Sequence, residues 1–197
     1  AEAHAALGQM AQGFEWDLIR EDVAALWGWL HSLTPKELER SRRVIRNPSE
    51  LLELLTHYPG WIHFLRFKAE TVVGFYRKAR QLLDSLGRDQ VDLSARGWPP
   101  PWNRSSGMDY RALSDVCVAV TPKLFTFDYS ALPRWYGQTL LAWNPDLAES
   151  EILDALVEWM DLPDDFERRS FAYYHIPAPT ELHPAKVESY RNRLDEV

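Results

Sequence analysis

Hydrophobic residues recur at helical spacing through most of the first 88 residues. In Trp16–Leu30, Ile19 and Val23 belong to an apolar stripe with a period near 3.6, which predicts an amphipathic helix. A longer stripe runs over residues 61–86 and stops at Gly87, where a glycine would favour a helix C-terminus. The first half of the chain is therefore predicted to be helical.

Two further helix starts are indicated by capping residues. Thr34 is followed by Pro35 and Glu37, which is the pattern of a capping box with proline at the first helical position. Asn47 and Pro48 repeat that pattern before a leucine-rich stretch. Both sites predict a helix that begins at the proline.

The pattern changes after residue 90. Short apolar and β-branched runs at residues 91–95, 118–127 and 170–176 predict strands, and helical patterns fall at 132–143 and 149–159. The run at 118–127 is nearly continuous, as in a strand buried on both faces. Strands that alternate with helices indicate a parallel sheet with right-handed crossovers, hence an α/β fold.

The remaining segments link these elements. GWPPPWNRSSG, residues 97–107, is expected to be irregular because three consecutive prolines fix φ and remove donors. Asp109 is placed to cap a helix that runs to about Val116, and another helix is expected from about Thr180 onward. The whole chain is predicted to be a single α/β domain, with a helical part at 1–88 and strand–helix units at 90–197.

Composition narrows the classes of function. The net charge of −7 argues against a nucleic-acid binder, since such proteins present a basic face to phosphates. No apolar run approaches the roughly 20 residues of a membrane helix, and no signal peptide is visible. Cys117, the single cysteine, lies in an apolar run and is expected to be a buried, inert thiol. These features predict a cytoplasmic protein without a membrane or nucleic-acid partner.

Candidate chemistry lies at the ends of the predicted strands, where ligands bind in parallel α/β folds. After the first strand come Arg96, Trp98 and Trp102, and exposed tryptophan faces make good platforms for sugar rings. The alternative is a stiff loop packed on the domain. Asp109 is a candidate catalytic carboxylate, although a helix N-cap is the preferred interpretation of this residue.

The second group follows the strongest predicted strand. Lys123 lies within an apolar strand, where a charge is unfavourable unless it is paired or faces a polar cavity. Asp128 and Tyr129 lie at the strand end, and Arg134 and Trp135 open the next helix. A structural ion pair for Lys123 and a helix cap for Asp128 are the alternatives.

The third group is His175, which ends the last predicted strand and is either structural or substrate-binding. His57 and His63 are separated by a Pro-Gly break, which is poor spacing for metal ligands, and the other histidines are scattered. No phosphate-binding, dinucleotide-binding or hydrolase motif is present. The sequence therefore predicts no metal and no cofactor.

The segment GMDYRALSDVCVAVTPKLFTFDYSALPRWYG resembles the later half of uncharacterised bacterial TIM-barrel proteins related to glycoside hydrolases. Its glycine-x-Asp-aromatic start and its Lys-Leu-aromatic-Thr strand carry the likeness, and the helix FLRFKAETVVGFYRKARQLLD extends it. A barrel needs about 250 residues and eight strands. The chain is thus expected to be part of a barrel, or a complete but smaller α/β domain.

The resemblance implies a protein that hydrolyses or binds carbohydrate. Asp128 would be the acid/base or sugar-orienting carboxylate, and Lys123 and Arg96 would hydrogen-bond hydroxyls or a carboxylate. The subsites would be lined by Trp98, Trp102, Tyr129 and Trp135. The last predicted strand ends in His175 where the related barrels carry a glutamate, so the resemblance brings no complete pair of carboxylates to this chain.

A rival hypothesis is a non-catalytic protein. In it the helical N-terminal half forms an interface with a partner or with a second copy of the chain. The expected ligands and partners are therefore carbohydrate or another small molecule, or a homo-oligomer.

Overall fold

In a computed structural model of the chain, residues 13–100, 102–123, 130–160 and 170–181 are described. The architecture within them is mostly helical. The helices are α1 (Trp16–Leu30), α2 (Pro35–Arg46), α3 (Pro48–His57), α4 (Pro59–Ser85), α5 (Trp102–Ser105), α6 (Tyr110–Leu113), α7 (Leu132–Trp143) and α8 (Glu149–Trp159), with a 3₁₀ turn at Phe171–Tyr173. The strands are β1 (Ser94–Gly97) and β2 (Ala119–Pro122).

The predicted α/β barrel-like fold is wrong. The described residues contain one two-stranded parallel sheet, which does not close, and no barrel is seen. The expected strand at 170–176 is instead a 3₁₀ turn, whose Ser170 side chain accepts the N–H of Ala172. A 3₁₀ turn forms there because only Phe171 is buried, and Tyr173 is exposed. That pattern lacks the alternation of a half-buried strand.

The other two strand predictions are right in kind but not in extent. β1 begins at Ser94 rather than at residue 91, and it pairs in parallel with β2. β2 is not buried on both faces, because Thr121 on one face is exposed while Val120 packs against the core. Residues 124–127 of the predicted strand lie outside the described residues. The segment predicted to be irregular contains the helical turn α5.

The helix predictions from capping residues are confirmed. Thr34 accepts the N–H of Glu37, and the Glu37 carboxylate accepts the N–H of Thr34 at 2.8 Å. The side chain of Asn47 accepts the N–H of Ser49 at the start of α3. Gly87 follows α4 with φ +64°, and the N–H of Arg88 donates to the carbonyl of Leu83, as in a Schellman motif.

The chain divides into two compact units, each with its own core. Of the described residues, unit 1 holds 13–20 and 60–123, and unit 2 holds 21–59, 130–160 and 170–181. The expectation of one domain stays a prediction. In unit 1 the buried residues cluster where α4, the sheet and α6 meet; they are Val73, Ala95, Met108, Tyr110, Leu113 and Cys117. The predicted burial of Cys117 is confirmed.

In unit 2 the core lies among α2, α7 and α8. Leu38 of α2 and Ile152 of α8 are fully buried, and Leu140 of α7 is nearly so. Gly137 on α7 makes room for the ring of Phe171, since a Cβ there would overlap the ring. These contacts fix the helices that form the groove described below.

Candidate functional site

One face of the two-stranded sheet in unit 1 is open and polar. Ala95 and Val120 are paired in register and face the core, whereas the pair Arg96 and Thr121 belongs to the opposite, exposed face. The N–H of Lys123 donates to the carbonyl of Gly97 at 2.7 Å, which continues the ladder past β2. The exposed side chains of Arg96 and Lys123 are therefore brought to one end of one face.

Trp98 directly follows β1, two positions after Arg96. Its side chain is 40% exposed, although the two prolines that follow it are buried. The hydroxyl of Tyr110 donates to the Trp98 carbonyl, and burial raises the pKa of that hydroxyl, so it remains a donor at neutral pH. Arg96, Trp98 and Lys123 define what is called the sheet-face site below.

The other two predicted site residues of unit 1 are Asp109 and Trp102. Asp109 caps α6, since one carboxylate oxygen accepts the N–H of Ala112 at 3.2 Å. The other oxygen accepts from the guanidinium of Arg104 at 2.8 Å. The capping interpretation of Asp109 is thus confirmed. Trp102 is half-buried, and its indole N–H finds no acceptor among the described residues.

The remaining predicted site residues belong to unit 2 or lie outside the described residues. Arg134 is half-buried at the start of α7, and Trp135 is exposed. Asp128 and Tyr129, the predicted carboxylate and its neighbour, lie outside the described residues. Their proposed roles stay predictions.

His175 forms two hydrogen bonds, one through its backbone carbonyl and one through its imidazole. Its carbonyl accepts the hydroxyl of Ser130 at 2.8 Å, and its Nε2 lies 3.2 Å from the carboxylate of Glu181. The backbone N–H of Ala178, together with His175, lowers the pKa of Glu181 below its usual value. The imidazole thus lies in a local turn network.

Unit 2 contains a groove that the sequence reading did not identify. Helix α3 buries none of its residues, and four of its side chains are exposed leucines: Leu51, Leu52, Leu54 and Leu55. Two of them line a groove of about 540 Å³. The apolar wall of this α3 groove consists of Leu26, Trp29, Val44, Leu51, Leu54, Tyr58 and Trp159.

The polar lining of the α3 groove is more acidic than basic. Glu37, Glu50 and Glu53 line it, against Arg40 and the imidazole of His57. Glu37 belongs to the capping box, and Glu50 accepts from Asn47 at 3.2 Å. The carboxylate of Glu53 and the guanidinium of Arg40 have no partner within the described part of the chain.

A signal for this groove was present in the sequence. The stretch PSELLELLTH carries four leucines in ten residues, at i, i+1, i+3 and i+4, which form one continuous apolar face about 160° wide on a helix. A helix packed along one face needs apolar residues on that face only. The four leucines therefore indicate one apolar face, and the spacing alone does not show whether this chain covers it.

Among residues the structure describes, no group of three or more His, Cys, Asp or Glu side chains could hold a metal ion. Within the same ranges, no helix is both long and apolar enough to cross a membrane. A cytoplasmic location stays a prediction.

Comparisons with protein families, with curated proteins and with solved structures find no match to this chain. The resemblance to barrel proteins related to glycoside hydrolases therefore stays a prediction, although the barrel that it implied is corrected above. Function must be argued from the chain's own surfaces.

Proposed function

We propose that this chain is a binding protein whose α3 groove receives an amphipathic helix of a partner protein, with basic residues beside its apolar face. The observation that carries the proposal is that α3 buries no residue while Leu51 and Leu54 line a groove of about 540 Å³. A helix whose apolar side chains are all still partly exposed gains less stability from packing than a helix with a buried face. A partner that covers them supplies the missing burial.

The α3 groove is lined by the residue types that contribute most of the binding energy in protein interfaces. Trp29 and Trp159 lie with ring centroids 6.4 Å apart, and both line the groove. Tryptophan is enriched among interface residues whose truncation weakens binding strongly. Burying a leucine side chain contributes roughly 1.5–3 kcal/mol. Leu51, Leu54 and this tryptophan pair could therefore anchor a partner.

The dimensions and the charges favour a basic helix. Helix α3 has ten residues and is about 15 Å long at 1.5 Å per residue, which matches about three turns of a helix laid beside it. Such a helix presents anchors at i, i+4 and i+7. Glu37, Glu50 and Glu53 outnumber Arg40 along the groove, so lysine or arginine beside the anchors is complementary.

The test uses two stapled helical peptides of about three turns. Both carry leucine at i, i+4 and i+7, and they differ only in lysine or glutamate at the flanking positions. We expect the lysine peptide to bind more tightly by isothermal titration calorimetry. Leu54→Gln should weaken that binding by about tenfold.

Leu52 provides the matched control. It is a leucine of the same helix, 62% exposed, and it does not line the groove. Leu52→Gln should leave the affinity unchanged. Equal effects of the two variants, or equal binding of the two peptides, would overturn the proposal.

A second copy of the chain is the other occupant to examine. The solution mass, measured by light scattering for the native chain and for Leu54→Gln, distinguishes it. A dimer that Leu54→Gln converts to a monomer would assign the groove to self-association and contradict a separate partner. A native monomer agrees with the proposal.

The sheet-face site supports carbohydrate binding as a second candidate function. Trp98 is an exposed aromatic residue two positions after the cation Arg96, and Lys123 adds a second cation where the ladder continues, a combination suited to an acidic sugar. We expect Trp98→Ala to abolish binding on a glycan panel. Arg111→Gln, which removes an exposed cation on α6 of unit 1, should not. Absence of binding to every glycan would exclude this candidate.

Hydrolysis is a separate question from binding, and it depends on Asp128. Asp128→Asn should abolish any glycosidase activity that the panel reveals, because the amide can neither donate nor accept the catalytic proton. Unchanged hydrolysis in this variant would remove Asp128 from catalysis.

A further inference from the structure

A second cavity lies within unit 1 and shares no residue with the sheet-face site. Its volume is about 440 Å³, which falls in the range of roughly 300–1,000 Å³ typical of small-molecule pockets. One face of α4 and the start of α6 form its apolar wall, which consists of Ile62, Leu65, Ala69, Val73 and Ala112. This cavity is called the α4 pocket below.

Arginines line the α4 pocket alongside this apolar wall. Three arginines and two carboxylates belong to the lining: Arg66, Arg77 and Arg104 with Glu70 and Asp109. Three positive and two negative charges leave a local excess of one positive charge. The net charge of the whole chain is −7, so the charge of the pocket lining is opposite in sign to that of the protein.

Two of the three arginines are already paired. Arg66 donates to Glu70 at 2.8 Å, one helical turn away on α4. Arg104 donates to Asp109 at 2.8 Å, and Asp109 is itself fixed as the cap of α6. These ion pairs hold two guanidinium groups on the pocket wall and neutralise them.

Arg77 differs from the other two. It is exposed, and it has no hydrogen-bond or ion-pair partner among residues 13–100, 102–123, 130–160 and 170–181. Its planar guanidinium can donate two parallel hydrogen bonds to a carboxylate. It also lies one turn along α4 from Val73, the most buried apolar residue of the wall. An anionic group and an apolar chain can thus be bound side by side.

We propose that the α4 pocket binds a small amphiphilic monocarboxylate, with its carboxylate on Arg77 and its apolar chain along Ala69, Leu65 and Ile62. From Arg77 to Ile62 the helix axis advances about 22 Å, so an elongated ligand fits the wall better than a compact one. Ala69, in the middle of the wall, leaves room for the chain. This site is independent of the α3 groove.

Dodecanoate below its micellar concentration is the probe, titrated into the full chain by isothermal titration calorimetry. We expect saturable binding, at least tenfold weaker binding of dodecan-1-ol, and no binding of dodecyltrimethylammonium. Arg77→Gln should weaken dodecanoate binding by about tenfold, the effect of losing one charge-assisted bidentate contact. Equal binding of the acid and the alcohol would overturn the assignment of the head group.

Lys78→Gln is the matched control, because Lys78 is the next residue of α4, is exposed and does not line the pocket. The Lys78→Gln variant should bind dodecanoate as tightly as the native chain does. Leu54→Gln should also leave dodecanoate binding unchanged. If Leu54→Gln weakened binding and Arg77→Gln did not, the fatty chain would occupy the α3 groove and the proposal would be wrong.

Amide chemical shifts provide a readout that does not depend on affinity. Dodecanoate should shift the signals of residues 62–77 and 109–112, and Ala69→Leu, which fills the pocket, should abolish those shifts. A native chain that shows no binding at all would contradict the proposal directly. Circular dichroism confirms that each variant remains folded.

Discussion

The buried side chain of Asn144 accepts the backbone N–H of Leu33 at 2.8 Å, across 111 positions of the chain. Its amide nitrogen donates to the carbonyls of Leu30 and Leu140, both at 2.9 Å. One side chain thereby satisfies backbone hydrogen-bonding groups at the end of α1, in the turn before α2 and in the last turn of α7. Every one of these groups belongs to unit 2.

Asn144→Asp should destabilise unit 2, because a carboxylate keeps the acceptor but replaces the donor that faces two carbonyls. A buried hydrogen bond left unmade costs about 1–3 kcal/mol, and more when a charge is involved, so we expect a loss of about 3 kcal/mol. Urea unfolding measures it. Gln138→Glu, an exposed amide-to-acid change on the same helix, should alter the free energy of unfolding by less than about 0.5 kcal/mol. Equal values for both would refute the role of Asn144.

The helices could be predicted because their signals are local. Thr34 with Glu37, Asn47 with Pro48, and Gly87 each satisfy or terminate backbone groups within a few residues, so the sequence alone contains the interaction. For the same reason the cap at Asp109 was visible before the structure. Such interactions do not depend on which element packs against which.

The extent of the sheet could not be predicted from the same local reasoning. A β-branched run such as VCVAVTP marks a half-buried surface rather than a particular number of neighbouring strands. Here Val120 faces the core while Thr121 faces solvent, and the described strand ends at Pro122. A barrel would require further strands beside this pair. The segment around Phe171, which was expected to be one of them, forms a 3₁₀ turn instead.

The two cavities were missed for a related reason. Leu54 and Leu38 are both leucines on helices with clear caps, yet Leu38 is buried and Leu54 lines an open groove. Periodicity shows that a helix has an apolar face, and packing determines whether anything covers it. Arg77 is likewise one of many charges in the sequence, and only the packing around α4 places it at a cavity.

Gly107 is expected to be intolerant of a side chain. It has φ +80°, and a Cβ there would lie 2.6 Å from the carbonyl oxygen of Lys68 on α4. Since backbone cannot move aside as a flexible side chain can, Gly107→Ala should destabilise unit 1 by at least about 2 kcal/mol in urea unfolding.

Gly28 supplies the opposite case. It lies within α1, and a Cβ there meets nothing within 4 Å. Gly28→Ala should therefore stabilise the chain by about 0.5–1 kcal/mol through helix propensity. If both substitutions changed stability in the same direction, the close approach at Gly107 would be the wrong explanation.

Cys117 should be unreactive in the folded chain. It is buried, and burial raises the pKa of its thiol, so little of the reactive thiolate forms. Alkylation by iodoacetamide at pH 8 should be at least about tenfold slower than in denaturing urea. The chain has one cysteine, so the labelled mass reports this site alone. Equal rates in the two conditions would contradict the buried position.

The raised pKa of the Cys117 thiol determines how the stability of the folded chain changes with pH. The folded state holds the thiol proton more tightly than the unfolded state does. The contribution of Cys117 to stability is therefore fully present below the ordinary pKa of a thiol and is lost as the pH rises through the folded value. Cys117→Ala should lose less stability than the native chain between neutral and alkaline pH.

Arg42 on α2 and Glu158 on α8 form an ion pair that should couple the two helices of unit 2. Both Nε and Nη2 of Arg42 donate to one carboxylate oxygen of Glu158, at 2.9 and 2.6 Å, and this hydrogen bonding raises the pKa of Arg42. The side chains are only 29% and 15% exposed, so solvent screens the pair incompletely. A double-mutant cycle with Arg42→Gln and Glu158→Gln should give a coupling of about 1–2 kcal/mol.

The exposed pair of Arg66 and Glu70 on α4 is the control for this cycle. Its N–O distance is similar, 2.8 Å, but the arginine side chain is 72% exposed and the partner is one turn away on the same helix. Its coupling should therefore not exceed about 0.5 kcal/mol and should vanish in 1 M salt, whereas the Arg42–Glu158 coupling should largely persist. Similar couplings for the two pairs would show that burial does not set the strength of the contact between α2 and α8.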